Sequence, residues 1–568
     1  MRVNGRRLWC GVLAITVAAC GGGDSTGPKA TPPAILTVSP IRGTVGTELT
    51  VTGTGFRDGA SVKIGTISAT AVQVANATTL YVKVPAGVAA GQAYGITIAN
   101  PDGGSATQAA VFTAVAPTLQ YINGATRPSA NSGSTIILEG SAFGDVQGAG
   151  QVLFSDGAGG TIAATIASPD DWTDTFILTT LPSAAATGEV TIKTATGTSA
   201  PITLTLASNS QFSPSTIQWT KTSTMPVGVS GHAATVATVQ GATSAVNFVY
   251  VTGGADSTNA PRTSVWSASV LAGGQIGAWT TTSPLPAGRA FHASVVATPF
   301  NSRVKGTGFL YVLGGATDAA GTPAGEIYRA PLAADGSVGA WETLGTLPAA
   351  LHSMNAVIFR GEIYVAGGST TGNAPVATVY RARLDSLGAI GAWQTLAPLP
   401  SARTYHGLTQ FGGYLYVFGG ESAALLPNDA STASSATRLD QVAYAKLDLR
   451  TGAINSAGWL VNGGGLTKAV GKHTAVVAGG NVLVTGGLYN GAGSGSSEES
   501  YAQLRTDGTV SSFSGATGSH TIASAGGSNL FNHAALSYVD AAGVAHVLVL
   551  GGDDVNAPGK KRAEVWFY

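Results

Sequence analysis

Six histidines, His232, His292, His352, His406, His473 and His533, each stand upstream of a hydrophobic run that ends in two glycines. The runs close on Gly254, Gly315, Gly368, Gly420, Gly487 and Gly552. Imidazole is both a common metal ligand and a general base near neutral pH, so a recurring histidine invites either chemistry. Six equivalents a whole repeat apart cannot converge at ~2 Å on one ion. The expectation is therefore a structural hydrogen bond at a strand start, with no metal and no cofactor. A second set is charged. Arg289 and Arg403 each precede a repeated histidine by three residues, and Asp256, Asp318, Glu421, Asp553 and Asp554 follow double glycines. Arginines and carboxylates gathered at one opening would suit a sugar or an anionic ligand. Nucleophilic catalysis lacks a starting point, since residues 208–568 contain no Gly-x-Ser-x-Gly elbow.

These residues need a scaffold, and composition restricts it. The 568-residue chain is 44% hydrophobic but only 10% charged, with 79 glycines and a net charge of zero. A chain poor in Lys, Glu and Met and rich in Gly, Val and Thr favours strands joined by tight turns, hence an all-β fold. No extended basic stretch offers phosphates a footprint, which argues against nucleic acid as a partner. The second glycines lie 61, 53, 52, 67 and 65 residues apart, and other marks keep step. An aromatic follows each pair (Trp266, Tyr328, Tyr380, Tyr444, Tyr501, Trp566), then a second aromatic strand (Trp279, Trp341, Trp393, Trp459, Phe513). Four short strands per unit with a double glycine ending the second resembles the kelch β-propeller family, over residues 214–568. The resemblance implies six blades in 208–568, with the sixth lacking its outer strand and Gln218-Trp219-Thr220 supplying it to close the ring. Copper-radical oxidases of the galactose oxidase-like type are kelch relatives, but their Cys–Tyr cofactor cannot form here because the two cysteines are Cys10 and Cys20. Kelch sugar mutarotases are the enzyme alternative, with Arg289, Arg403, Glu326, Glu362 and Glu421 as candidate groups.

The amino terminus bears on location. Arg2, Arg6 and Arg7 precede a short apolar stretch that ends in Val17-Ala18-Ala19-Cys20, too short for a spanning helix, which needs ~20 apolar residues. It resembles the lipobox of bacterial lipoproteins. That resemblance implies a signal peptide at 1–19, lipidation of Cys20 and, because Gly21 follows, an outer-membrane anchor. Residues 20–33 read as a flexible tether.

Between tether and repeats, residues 34–115 and 116–207 each show short β-branched runs at sandwich spacing. The first, with Pro40, Gly43, Gly46 and Leu49-Thr50-Val51-Thr52-Gly53-Thr54-Gly55-Phe56, resembles the IPT/TIG family; the second follows the same order more loosely. Gly53 and Gly55 are expected to adopt positive φ and Phe56 to anchor the core. One irregularity stands out in the repeat. From second glycine to aromatic the separation is 12 to 14 residues everywhere except after Gly420, where it is 24. The extra stretch, with neither a two- nor a 3.6-residue period, reads as a loop over the face that carries the arginines. The functional expectation is a lipid-anchored binding protein that presents its repeat domain to a glycan or a protein.

Overall fold

A computed structural model describes residues 31–568, apart from 70, 123–128, 131–134, 207–214, 216, 241–244, 299–301, 303, 305, 428–436, 449–450, 490–498, 506, 517–520, 523–528, 541–543 and 558. The signal segment, Cys20 and the tether as far as residue 30 lie outside the described residues. The fold is all-β, with an Ig-like first domain. No helix among the described residues is long and apolar enough to cross a membrane.

The chain divides into two compact units, one built around Leu49–Lys83 and Tyr94–Phe112, the other dominated by Thr113–Tyr568. In the first, the sheet Ala34–Ser39, Glu48–Thr54, Thr79–Lys83, Val72–Asn76 faces a sheet containing Ser105–Ala114, Ala93–Ala99, Ser61–Ile64 and Ile67–Ser68. Alternation along Glu48–Thr54 buries Leu49, Val51 and Gly53 on one face, as a half-buried strand requires. Phe56 is buried with them. Only Gly55 has positive φ, at 72°. Gly53 is required for space instead, because a Cβ there would collide with the Ala34 carbonyl oxygen of the neighbouring strand and sit 2.6 Å from the Phe56 ring.

The second unit opens with a sandwich that repeats the device: Gly140 lies under the Phe143 ring as Gly53 lies under Phe56. Trp172 fills its centre and donates Nε1–H to the Phe143 carbonyl at 3.1 Å. This sandwich packs on the sheets that follow. Phe176 meets Phe359 edge-to-face at 5.8 Å, Arg360 stacks over Phe176 at 4.0 Å, and Lys446 pairs with Asp171 at 3.3 Å.

Six four-stranded antiparallel sheets make up most of the rest. Their first two strands are Ala233–Gln240 and Ala245–Thr252, Ala293–Ala297 and Phe309–Leu313, Asn355–Phe359 and Glu362–Ala366, Gly407–Phe411 and Tyr414–Phe418, Thr474–Ala478 and Asn481–Thr485, and Ala534–Val539 and Ala545–Leu550. Each first strand packs on that of the next sheet, and the sixth packs on the first. The sixth sheet takes its outer strand from far upstream, where Thr220 and Lys221 pair with Phe567 and Trp566. Trp219 beside it donates Nε1–H to Glu499 of the fifth sheet at 2.9 Å, and burial pushes the Glu499 carboxyl up to about 8. Outer-strand tryptophans latch neighbours in the same way: Trp279 to the Ser223 carbonyl, Trp341 to Ser283 and Trp459 to Ala397, all at 2.9–3.0 Å.

Candidate functional site

The repeated histidines and double glycines form one interlocking joint. The His292 ring accepts or donates at Thr252 Oγ1 (2.8 Å) and the His533 ring at Thr485 Oγ1 (2.9 Å), each in the preceding sheet and just ahead of its double glycine. The ring covers the first glycine there: a Cβ on Gly253 would lie 2.9 Å from His292 Cε1, and one on Gly551 2.8 Å from His232 Cε1. The second glycine, at φ 97–104° in all six sheets, lies against the Cβ of its own sheet's histidine or equivalent. Desolvation holds His232, His292, His406 and His473 down to about 3 and His533 to about 4, so all are neutral at pH 7.

His352 does not belong to that register. In the third sheet Met354 takes the slot, its Cε 2.9 Å from a Cβ placed on Gly314. His352 sits two residues earlier, where Ser230, Ala290 and Thr404 stand in other sheets, and bridges to Ser369. It too is buried and lowered to about 4.

Arg289 and Arg403, expected at an opening, are buried instead. Arg289 is ion-paired with Glu326 at 2.9 Å and bonded to the Tyr328 hydroxyl at 2.8 Å. Arg403, with no exposed surface, donates to the Gly419 carbonyl at 2.9 Å and to Gln441. Val229, Leu351, Val470 and Leu530 occupy the same position in other sheets, their carbonyls also receiving the second glycine's N–H. The arginines fill interior space that aliphatic residues fill elsewhere. Glu421 is fully buried against Arg438 (3.4 Å), and Glu362 lies 3.7 Å from both Arg381 and Arg383. Asp256 and Asp318 close their own turns, accepting from Thr258 and Ala260 and from Ala320 and Thr322, which holds both carboxyls below the usual range. Asp554 is paired with Arg562.

What converges is a position the sequence reading passed over, the residue immediately before the histidine slot. Gly231, Phe291, Ser353, Tyr405, Lys472 and Asn532 all have φ between 50° and 57°. Each donates its N–H to the carbonyl of its counterpart in the sheet before. The bonds run Phe291 to Gly231 (2.6 Å), Ser353 to Phe291 (2.7 Å), Tyr405 to Ser353 (3.2 Å), Lys472 to Tyr405 (3.0 Å) and Asn532 to Lys472 (3.0 Å). Gly231 to Asn532, at 2.7 Å, completes the cycle. Left-handed backbone costs a non-glycine residue roughly 1–2 kcal/mol, so five strained residues surround one axis. They and the strand starts behind them line a cavity of about 220 Å³.

The side chains on this ring differ in kind. Phe291 and Tyr405 meet edge-to-face at 6.1 Å, and the Lys472 ammonium stands 4.9 Å over the Tyr405 ring. Lys472 Nζ donates to the carbonyls of Leu426 (3.1 Å) and Pro427 (3.0 Å), and Asn532 Nδ2 donates to the Pro427 carbonyl (3.2 Å) and to Asp553 (3.1 Å). Lys561 completes the chain, joining Asp553 at 2.5 Å to Asn259 at 2.9 Å. Asp553 alone of the five acids predicted at the face reaches the ring by a direct bond. The long segment after Gly420 enters here: Pro427 is buried, and a Cβ on Gly321 of the second sheet would lie 3.0 Å from its Cγ. Residues 428–436 of that segment lie outside the described residues.

Comparison with known families bears on a different part of the chain. Residues 33–114 match the IPT/TIG domain. The match covers the first sandwich, including Gly53 and Phe56, and stops before the second. No curated protein matches the chain.

Proposed function

We propose that the chain is a binding protein of the bacterial cell envelope, lipid-anchored through Cys20 to the outer membrane, in which the six sheets form a six-bladed kelch-type propeller. The IPT/TIG domain and the second sandwich serve as spacers between anchor and propeller. The cyclic hydrogen bonds from Gly231 to Asn532, and the outer strand that Thr220–Lys221 contributes, support the closed ring. A glycan or a protein is bound at the mouth of the ring.

One observation carries the reading: the position before the histidine slot keeps its backbone conformation in all six sheets while its side chain changes. A residue kept for packing would repeat, as the glycines do. Strained residues of different chemistry around one cavity mark a recognition surface. Of the groups proposed for a mutarotase, Arg289, Arg403, Glu362 and Glu421 are buried and already engaged, and Glu326, though exposed, is held by Arg289, so the binding reading has the better support.

Two measurements test it. Screening residues 208–568 on a glycan array and against envelope protein extracts should give ligands whose binding falls at least tenfold in Tyr405→Ala. Ligands indifferent to Tyr405 would move the site elsewhere. For the anchor, palmitate-analogue labelling should disappear in Cys20→Ser; retained label refutes lipidation there.

A further inference from the structure

The ring residues already hold an occupant, and that occupant is chain. Two successive main-chain carbonyls, of Leu426 and Pro427, lie on the Lys472 ammonium at 3.1 and 3.0 Å, and the Asn532 amide grips the second. Lys472 and Asn532 are themselves only 2% and 7% exposed. An ammonium taken out of water costs several kcal/mol unless acceptors replace its hydration, and Leu426 and Pro427 supply two of them. Asp553, which lies beside these donors, is engaged by Lys561 and Asn532. The mouth therefore presents donors to its occupant. Proline suits such a site, because it offers a carbonyl and has no N–H to leave unsatisfied.

We infer that the mouth of the ring is a peptide-binding site, filled in cis by Leu426-Pro427, and that its ligand is a proline-containing segment of a partner protein, gripped through its main-chain carbonyls, that displaces this tethered stand-in. The inference rests on the binding reading above and deepens it from glycan or protein to peptide main chain. The stem of the occupying segment is fixed: Ser422 N–H donates to the Thr437 carbonyl at 2.9 Å, and Leu439 N–H to Gly420 at 2.9 Å. A short tether holds its occupant at an effective concentration on the order of 1 mM. If the segment's own sequence binds the empty site with a Kd below about 0.1 mM, any free peptide is thus weakened tenfold or more by the intact segment.

The test uses the chain's own occupant as probe, a fluorescein-labelled Ala-Ala-Leu-Leu-Pro amide followed by anisotropy. Replacing residues 423–436 with Asn-Gly should open the site to this peptide, and the intact protein should bind it at least tenfold more weakly. Leu426→Gly combined with Pro427→Gly in the full-length chain, which leaves every ring residue native and keeps both carbonyls but loosens the backbone that presents them, should open it in part. Lys472→Met in the shortened background should cut affinity at least tenfold. No peptide binding by either opened form, equal binding by opened and intact forms, or indifference to Lys472 would each overturn the inference. A glycan hit that depends on Tyr405 alongside any of those results would leave the binding reading standing.

Discussion

At the entrance to each first strand of the six sheets, the histidine slot and the residue before it are separated by one peptide bond and treat their side chains in opposite ways. The slot holds histidine in five sheets and Met354 in the other, buried over the preceding sheet's first glycine. Its neighbour is Gly, Phe, Ser, Tyr, Lys or Asn on an unchanging left-handed backbone. The slot is fixed because its volume and its glycine partner are matched; altering either breaks a joint between sheets. The neighbour is free to vary because the cyclic hydrogen bonds use its backbone alone. In this repeat, sameness marks packing and difference at a constant geometry marks the proposed site.

The comparison is broken most severely by acid. Six histidines, His352 included, have folded pKa values pushed by burial to about 3–4. The unfolded chain takes up their protons first, near 6.5, so their contribution is intact above pH 6.5 and is lost as pH falls toward the folded values. Each costs about 1.4 kcal/mol per pH unit over that window. Six together consume the ~5–15 kcal/mol typical of a domain within one or two units. The six-sheet region should unfold cooperatively near pH 5, followed by tryptophan fluorescence. No histidine precedes His232, so hydrogen exchange should find the IPT/TIG amides still protected at that pH. Loss of protection in both regions together would show that the histidines are not the cause.

The next effects are single substitutions on the packing side. Gly315→Ala must hold a Cβ at φ 101° and 2.6 Å from His292 Cβ, an expected loss of about 4 kcal/mol in urea unfolding. Ser353→Gly, on the ring and already at φ 53°, should shift stability by less than about 1 kcal/mol. Arg403→Ala should cost about 3 kcal/mol, since it leaves a cavity and strips a donor from the Gly419 carbonyl. Arg403→Leu, the residue type at the matching positions Leu351 and Leu530, should recover at least half of that. If both Arg403 variants proved as stable as the parent, the arginine would not be an interior packing residue.

Much of this packing was legible in the sequence. The double glycines end second strands where the hydrophobic runs stop, and the length of the segment after Gly420 marked the loop that reaches the ring. Other features were hidden for physical reasons. His352 was mistaken for a repeat member because a histidine two residues off register is indistinguishable by spacing, whereas Met354 fills the slot by volume. Arg289 and Arg403 read as surface charge, yet their long side chains run inward where sheets meet and find carbonyls there. Gly53 is explained by the approach of the Ala34 carbonyl from the neighbouring strand, a cross-strand contact that no local pattern encodes. The ring residues escaped notice because Phe, Tyr and Lys are poor left-handed formers; the conformation is imposed by the hydrogen-bond cycle between sheets. One signal was available, a residue that varies directly before one that repeats.

The smallest expected effect sharpens the comparison most closely. Met354→His would give the third sheet the residue that the other five carry in that slot. Met and His are similar enough in volume for the Gly314 side of the joint to accept the ring, and a repacking of this kind costs under about 1.5 kcal/mol. At pH 8 the variant should therefore unfold in urea within that margin of the parent. Its acid behaviour should differ. A seventh buried neutral imidazole adds about 1.4 kcal/mol per pH unit of proton-linked destabilisation below pH 6.5, so the unfolding midpoint should move upward by a few tenths of a pH unit. A variant equally stable at pH 8 but unchanged in acid would mean that the new ring reaches water and titrates normally, which would disprove that the slot is sealed in every sheet.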